Sequence, residues 1–322
     1  MKIHYRIYSN FIEIIRCYGL DSRIVLPAEI SGYPVRKIAA YAFSAKKDAE
    51  DDDILVYETD GNRLFSEQEH LLAGVDVQEV VFPDTVEEIG NYIFYGCREL
   101  RGLEFSDSLR NIGSGAFTGC GKLSGLKVRM NHGKKSCVKE VLGDLWQRID
   151  VTFRYRTDEG EEDAKLVFPE HYEEAVENTP ARILFTQHHG TGNNYRQCFY
   201  NKEIDYRKYD EIFSIAKAQD SLTVLADMAF DRLMYPRELN QIHRSMYEMF
   251  LREHLEELVC VLVKEERTEQ LKYLSAGRFW TENVLDVAVA AAQENGNKEL
   301  SGFLMDRRHE LFPKKKRKRF EL

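Results

Sequence analysis

The stretch VVFPDTVEEIGNYIFYGCREL, residues 80–100, is followed by LEFSDSLRNIGSGAFTGCGKL, residues 103–123, and the two segments share one pattern. Their aromatic, glycine, cysteine and leucine positions recur at a single offset of 23 residues, and Leu126 and Val128 begin a third copy. A fixed period in the twenties is typical of a solenoid, in which each coil buries its apolar face against the next coil. The repeat therefore predicts a stacked architecture for this part of the chain.

Each copy contains the spacing L-x-x-L-x-L, as at Leu100, Leu103 and Phe105. This spacing predicts a short strand on one side of every coil. The Gly-Cys pairs at 96–97 and 119–120 stand at equivalent corners. Because free cysteine is among the most buried residue types, we expect these thiols to pack inside the coil.

The residue pattern of the repeat resembles that of a known family, the BspA-like class of bacterial leucine-rich repeats. The pattern of that family is I-P-x-x-V-x-x-I-G-x-x-A-F-x-x-C-x-x-L. The positions of the copy at 80–100 that match this pattern are Pro83, Val86, Ile89, Gly90, Phe94, Cys97 and Leu100. The copy at 103–123 has Ser106 in place of the proline, and residues 24–43 resemble the opening coil of the family. The resemblance covers the first half of the chain. It implies a leucine-rich-repeat solenoid and a broad association with binding and adhesion, but no particular activity.

Length and composition fit a folded protein with about two domains. The chain has 322 residues, of which 43% are hydrophobic and 31% charged. No apolar run approaches the roughly 18 residues that span a bilayer, and the first residues alternate between polar and apolar, so the sequence predicts a cytoplasmic protein without a signal peptide. The six cysteines include no C-x-x-C pair, which argues against a zinc ribbon or a disulfide framework.

The predicted fold class is α+β, with a leucine-rich-repeat solenoid followed by a β-hairpin and an α-helical repeat domain. The predicted boundaries are 1–156 for the solenoid with its caps, 157–165 for an acidic linker, 166–310 for the hairpin and helical domain, and 311–322 for a basic tail. In the hairpin, ARILFTQ and YRQCFYN are expected to pair on either side of the turn-rich segment 189–194.

The pattern from about Arg207 to Arg308 is helical. Segment 265–274 aligns with segment 295–304 at an offset of 30 residues, and each unit reads as a helix, a turn and a second helix. These units loosely resemble degenerate ankyrin-type pairs, although the T-P-L-H signature of that family is absent.

The expected ligand surface of the solenoid consists of the side chains that alternate with the inward residues of each strand. By the register of the repeat these are Arg23, Val25, Glu79, Val81, Glu104 and Lys127. The set is mixed in charge and has no aromatic ladder, so it implies neither a sugar nor a nucleic-acid strand. Another protein is therefore the expected partner. The sequence predicts no catalytic residue, no resident metal and no cofactor.

A second candidate surface lies at the predicted hairpin and consists of Arg182, His188, His189 and Arg196. The two arginines could anchor an anion. The two histidines could also bind a metal ion together with Cys198, because imidazole and thiolate suit zinc. Adjacent residues of a strand point to opposite faces, however, so a polar hairpin tip is favoured over a metal site.

The C-terminal tail carries a dense positive charge on a chain whose net charge is −9. Its basic residues are Lys314, Lys315, Lys316, Arg317, Lys318 and Arg319. This run resembles a monopartite nuclear-localisation signal, and it could equally bind nucleic-acid phosphates or an anionic membrane surface. The alternative is a solubilising tail without a partner.

Three functional hypotheses follow. The first is a non-catalytic protein-interaction scaffold that uses the leucine-rich-repeat surface. The second is a delivered effector, located in a host nucleus, or a nucleic-acid-associated protein that uses the basic tail. The third is a metal-dependent enzyme at the hairpin between His188 and Cys198. The sequence predicts neither the identity of a partner nor an oligomeric state.

Overall fold

A computed structural model describes residues 1–46, 53–58, 70–178 and 183–313 of the chain. The chain divides into two compact units, residues 1–220 and residues 221–322, of which the second is described through residue 313. The described part of the first unit is mainly β-structure, and that of the second is helical.

The strands of the first unit are, in chain order, β1 (Lys2–Ile7), β2 (Ile12–Tyr18), β3 (Arg23–Val25), β4 (Glu29–Ile30), β5 (Tyr33–Ile38), β6 (Leu55–Glu58), β7 (Glu79–Val81), β8 (Glu88–Ile89), β9 (Gly102–Ser106), β10 (Asn111–Ile112), β11 (Gly125–Met130), β12 (Ile149–Thr157), β13 (Gly160–Phe168), β14 (Tyr172–Asn178), β15 (Ile183–His189), β16 (Phe199–Tyr200) and β17 (Glu203–Ile204). Its helices are α1 (Val138–Gly143), α2 (Gly192–Arg196) and α3 (Tyr206–Ala216). The helices of the second unit are α4 (Leu222–Met234), α5 (Gln241–Glu253), α6 (Leu255–Lys264), α7 (Thr268–Ala276), α8 (Glu282–Glu294) and α9 (Lys298–Leu311).

One wall of the first unit is a sheet in which β3, β7, β9, β11 and β12 run parallel in that order. Each of these strands belongs to one coil, so the five parallel strands correspond to five turns of a solenoid. Gly102 pairs with Glu79 on one side and with Gly125 on the other, which places successive coils in register at the 23-residue offset. The solenoid predicted from the repeat is confirmed.

The opposite wall is built from β5, β8 and β10, which also pair in parallel. The N-terminal strands extend this wall, because β2 pairs with β5 and β1 folds back antiparallel on β2. Strand β6 pairs with β1 at the far side.

The space between the walls is filled by an aromatic ladder that repeats from coil to coil. The rings of Phe43 and Phe94 stack with centroids 5.4 Å apart, and those of Phe94 and Phe117 stack at 5.6 Å. The cysteines follow the same rule, since the Cys97 thiol donates to the Phe43 carbonyl at 3.2 Å and the Cys120 thiol to the Phe94 carbonyl at 3.3 Å. Both cysteines are buried, as expected from the sequence.

Residues 157–165 are not a linker. Most of them belong to β13, which pairs antiparallel with β12 over its whole length and forms the last strand of the parallel wall. The acidic side chains that suggested a linker face arginines of the neighbouring strand, because Arg154 pairs with Asp163 and Arg156 with Glu161. The division between compact units falls after Asp220 instead.

The predicted hairpin pairing was also wrong. ILFTQHH, which is β15, pairs with the upstream strand β14 and not with YRQCFYN. The segment after His189 contains Gly190 and Gly192 and leads into helix α2. A side chain at position 192 would place its Cβ 2.1 Å from the Pro169 carbonyl oxygen, so the glycine serves a close backbone approach and not a hairpin tip.

The described part of the second unit consists of helices, four of which have a side-chain N-terminal cap. The side chains of Ser221, Asn240, Thr281 and Asn297 each accept a hydrogen bond from the backbone N–H three residues later. Helices α7 and α9 begin at equivalent positions, and each follows a residue with positive φ, Glu266 at 54° and Gly296 at 69°. The 30-residue offset seen in the sequence thus corresponds to equivalent turns, whereas the likeness to ankyrin-type pairs stays a prediction.

Across the described residues, the structure contains no helix with the length and apolar character needed to cross a membrane.

Candidate functional site

The outward side chains of the parallel wall form rows, because the strands pair in register and alternate residues point away from the core. One row consists of Val25, Val81, Glu104, Lys127, Thr152 and Lys165, which are paired neighbours on successive strands. The adjacent row begins with Arg23 and Glu79. All six residues predicted from the repeat therefore lie on one surface, which we call the sheet face.

Several charges on the sheet face are already paired within the chain. Arg23 Nε lies 3.2 Å from Glu79 Oε2 at the first strands. Farther along, Arg129 binds two carboxylates, with Nε 2.7 Å from Asp84 Oδ1 and Nη1 bonded to Glu104. The carboxylate of Glu104 is thus held against the sheet by the neighbouring coil.

Arg154 on β12 and Asp163 on β13 form a bidentate pair on the same face, with N–O distances of 2.9 and 3.1 Å. The hydrogen bonds from Arg154 lower the pKa of the Asp163 carboxyl, and the same contact raises the pKa of the arginine. Both groups therefore remain charged at neutral pH, and their charges offset each other at this end of the sheet face.

A depression of about 230 Å³ lies toward the β13 end of the sheet face. Its lining residues are Glu104, Lys127, Val128, Arg129, Thr152, Arg154, Asp163 and Lys165. Lys127 is exposed, and among the described residues no carboxylate forms an ion pair with its ammonium group. Among the described residues of the sheet face, Lys127 therefore differs from Arg23, Arg129 and Arg154, whose charges are paired within the chain.

The sequence-based prediction missed Arg129, Thr152, Arg154 and Lys165 on this surface. A signal for Arg129 was present, because it lies two residues after Lys127 on the same strand. Thr152 and Arg154 likewise alternate with the buried residues of β12. A linker at residues 157–165 would give Lys165 no position on the sheet face.

The second predicted surface is not assembled into a metal site. His188 Nδ1 lies 3.3 Å from Glu173 Oε1, whereas the ring of His189 stacks on Tyr172 with centroids 4.5 Å apart. Cys198 is fully buried, and burial raises the pKa of its thiol to about 12. The part of the chain that the structure describes contains no cluster of three or more histidine, cysteine or acidic side chains suited to a metal ion.

Arg196 is not an exposed anion anchor, because its side chain is 5% exposed and binds backbone carbonyls. Its acceptors are the carbonyl oxygens of Leu142, Leu145, Gln147, Pro169 and Gly192, at 2.7 to 3.2 Å. Burial lowers the pKa of the guanidinium to about 10, which still leaves it protonated at neutral pH. The residue holds together three segments that are distant in sequence. Arg182 and the basic run 314–319 lie outside the described residues.

Comparison with known proteins bears on the solenoid. Residues 68–138 match the sequence family described as "BspA type Leucine rich repeat region (6 copies)". No curated protein matches the sequence.

Three solved structures are similar to part of the chain. A leucine rich cell surface protein from Faecalibacterium prausnitzii is 23% identical over 40% of this chain and 31% of its own length, with a TM-score of 0.27. The T. pallidum Leucine Rich Repeat protein is 22% identical, with coverages of 42% and 72% and a TM-score of 0.20. A leucine-rich repeat protein from Bacteroides ovatus is 16% identical, with coverages of 41% and 48% and a TM-score of 0.19. This chain thus spans about a third of the first of these proteins and about half of the third. The residues that match the family, 68–138, contain the coils from β7 to β11, whose parallel strands pair in register.

Proposed function

We propose that this chain is a non-catalytic protein-binding scaffold and that the sheet face is the surface that binds. The observation that carries the proposal is the continuous row from Val25 to Lys165, in which six neighbouring strands present one outward side chain each. The backbone groups beneath are used in pairing coil with coil, so the side chains alone face a partner. Repeated coils of this kind build wide and rigid surfaces.

The shape of the sheet face favours a macromolecule over a small ligand. Its depression has a volume of about 230 Å³, which is below the roughly 300 to 1,000 Å³ of small-molecule sites. Val25 is 48% exposed at one end of the row, and Lys127 is exposed nearer the other. We expect a complementary partner to present an apolar group to the valines and a carboxylate to Lys127.

The proposal is tested by affinity capture from a lysate of the source cell, with the double variant Val81→Glu, Lys127→Glu compared with the intact chain. Both substitutions place negative charge on the sheet face, which opposes an apolar and acidic partner surface. We expect a protein that is captured by the intact chain to be lost with the variant, as measured by quantitative mass spectrometry.

A matched control is Val56→Glu, Lys139→Glu, which makes the same two changes at exposed positions of β6 and α1. The control should retain the partner, and circular dichroism should show that both variants are folded. Capture that is equal with the intact chain and the sheet-face variant would contradict the proposal.

A second candidate function uses the basic run 314–319, which concentrates six positive charges on a chain of net charge −9. Binding to a polyanion through this run would weaken steeply as salt rises. Deletion of residues 314–322 should then abolish binding to duplex DNA and to anionic vesicles. If the deleted chain binds both as the intact chain does, this candidate is wrong.

A further inference from the structure

Strands β14 and β15 form a two-stranded arm on the first unit. They pair residue for residue from Tyr172 with His189 to Asn178 with Ile183. In the described part of the chain, neither strand pairs with any other strand. The exposed side chains include Leu184, which is 71% exposed, and Thr186. A hairpin without a third strand is marginally stable in water, and its free edges present unpaired N–H and C=O groups.

The two edges of the arm differ in charge. Strand β14 reads YEEAVEN and carries Glu173, Glu174 and Glu177. Strand β15 reads ILFTQHH and contains no aspartate, glutamate, lysine or arginine. Charged side chains protect an edge strand from pairing with other strands, whereas β-branched and aromatic residues favour it. The edge of β14 is therefore guarded and the edge of β15 is open.

We propose that β15 pairs antiparallel with β15 of a second copy of this chain, so that two arms form one four-stranded sheet. Such a contact uses the same edge on both copies and closes with two-fold symmetry. A seven-residue strand overlaps its antiparallel copy in full only when its central residue lies on the axis. The central residue of β15 is Thr186, so Thr186 faces its own counterpart and Leu184 faces His188.

The residues around this axis fit the proposed contact. Thr186 pairs with Ala175 inside the arm, so the central row of the four-stranded sheet reads alanine, threonine, threonine, alanine. No charged side chain stands opposite a like charge in this row. The same operation on β14 would place Glu173 opposite Glu177, and like charges directly across a strand pair are destabilising. The sequence of the arm thus favours β15 as the shared edge.

The test is sedimentation equilibrium of the full chain over a wide concentration range. The intact chain should dimerise. Thr186→Glu and Thr186→Lys each place two like charges on the axis, so each variant alone should dimerise about tenfold more weakly or worse. An equal mixture of the two variants should recover the dimer, because glutamate then faces lysine.

The matched control is Ala175→Glu, which adds the same charge on the same face of the arm but on the guarded strand. It should dimerise like the intact chain. A monomeric intact chain at every concentration, or Thr186 variants that dimerise as tightly as the intact chain, would overturn the proposal.

A covalent test does not depend on how the charged variants fold. In a background with the exposed Cys260 replaced by serine, Thr186→Cys should form an intermolecular disulfide on mild oxidation, whereas Ala175→Cys should not. Absence of that disulfide, or its equal formation at both positions, also contradicts the proposal.

Discussion

The stacked coils from β7 to β11 and the region from α1 to α3 are both compact parts of the first unit, yet different contacts hold them. In the coils each contact is made again one turn later, as when Phe94 stacks between Phe43 and Phe117. Between α1 and α3 the contacts are not repeated, because one buried side chain, that of Arg196, donates hydrogen bonds to five carbonyl oxygens. The coils are therefore held together by contacts that repeat at every turn, whereas the region that follows them is held by contacts that occur only once.

The reason for the difference lies in the last strand. Every earlier strand of the parallel wall has a following coil to pair with, whereas β13 is the edge of that sheet. The hydroxyl of Tyr209 on α3 accepts from the Val167 N–H at 3.1 Å and donates to the Val167 carbonyl at 2.7 Å. One side chain thus gives the edge residue both of its backbone partners, as buried backbone groups require.

The largest expected effect is at Arg196. Substitution Arg196→Met removes the side-chain donor of five carbonyls, of which only that of Leu142 also accepts from another residue's backbone, the Leu145 N–H at 3.3 Å, among the bonds of the described residues outside helices and strands. We expect a loss of about 5 kcal/mol in the free energy of unfolding. Urea denaturation followed by circular dichroism measures it. Arg207→Met, at an arginine whose side chain is 79% exposed, is the matched control and should cost less than about 0.5 kcal/mol. A small effect at both positions would break the comparison.

Phe94→Ala should come next, with a cost of about 4 kcal/mol, because it removes the middle ring of a buried ladder. Phe94→Leu keeps most of the apolar volume and should cost about 1 kcal/mol. The same urea titration measures both. If Phe94→Ala lowered the free energy of unfolding clearly more than Arg196→Met, the packing of the coils would contribute more to stability than the contacts at their end.

Gly113→Ala should cost about 2 kcal/mol, because the coils approach closely at this position. An added Cβ would lie 2.3 Å from the Asn91 nitrogen and 2.4 Å from the Gly90 carbonyl carbon. Gly121→Ala is the control, since no atom lies within 4 Å of the Cβ that it would add. Equal stability of the two variants would show that the coils can separate at little cost.

The smallest effect concerns thiol chemistry. Cys260 is exposed and the other five cysteines are buried, so the native protein should react with one equivalent of a thiol reagent at pH 8 and the unfolded protein with six. Burial raises the pKa of the Cys97 thiol from 9.0 to about 12. Its contribution to stability is therefore complete below pH 9 and is lost as the pH rises toward 12. Cys260→Ser should remove the native reaction, and any remaining rapid reaction would show that at least one of the five buried thiols becomes accessible.

Repetition also explains what the sequence predicted well. Each coil repeats the spacing of its neighbour, so the register of Glu79, Gly102 and Gly125 could be read from the residues alone. The rows of the sheet face followed from that register. The predicted residues were placed on one surface for this physical reason, and Arg129 was within reach of the same argument.

The errors lie where a residue makes contacts that no other residue repeats. The charge of segment 157–165 predicts a linker, but the arginines of β12 that the segment faces hold it in the sheet. Arg196 was expected at a surface because its five acceptors lie up to 54 residues away in sequence. The sequence predicts a hairpin tip at Gly192, whereas in the structure this glycine permits a close approach to Pro169. Nothing in the local pattern distinguishes these cases.

The most direct test of the central claim, that the sheet face binds a protein, is site-specific photocrosslinking. A photoreactive amino acid is placed at Lys127 on β11 or, as the control, at the exposed Lys139 on α1, and each chain is irradiated in a lysate of the source cell. We expect a discrete protein adduct from position 127 that is absent from position 139 and is lost when Val81→Glu is added. The same adducts from both positions, or an adduct at 127 that persists with Val81→Glu, would contradict the assignment of the sheet face as the binding surface.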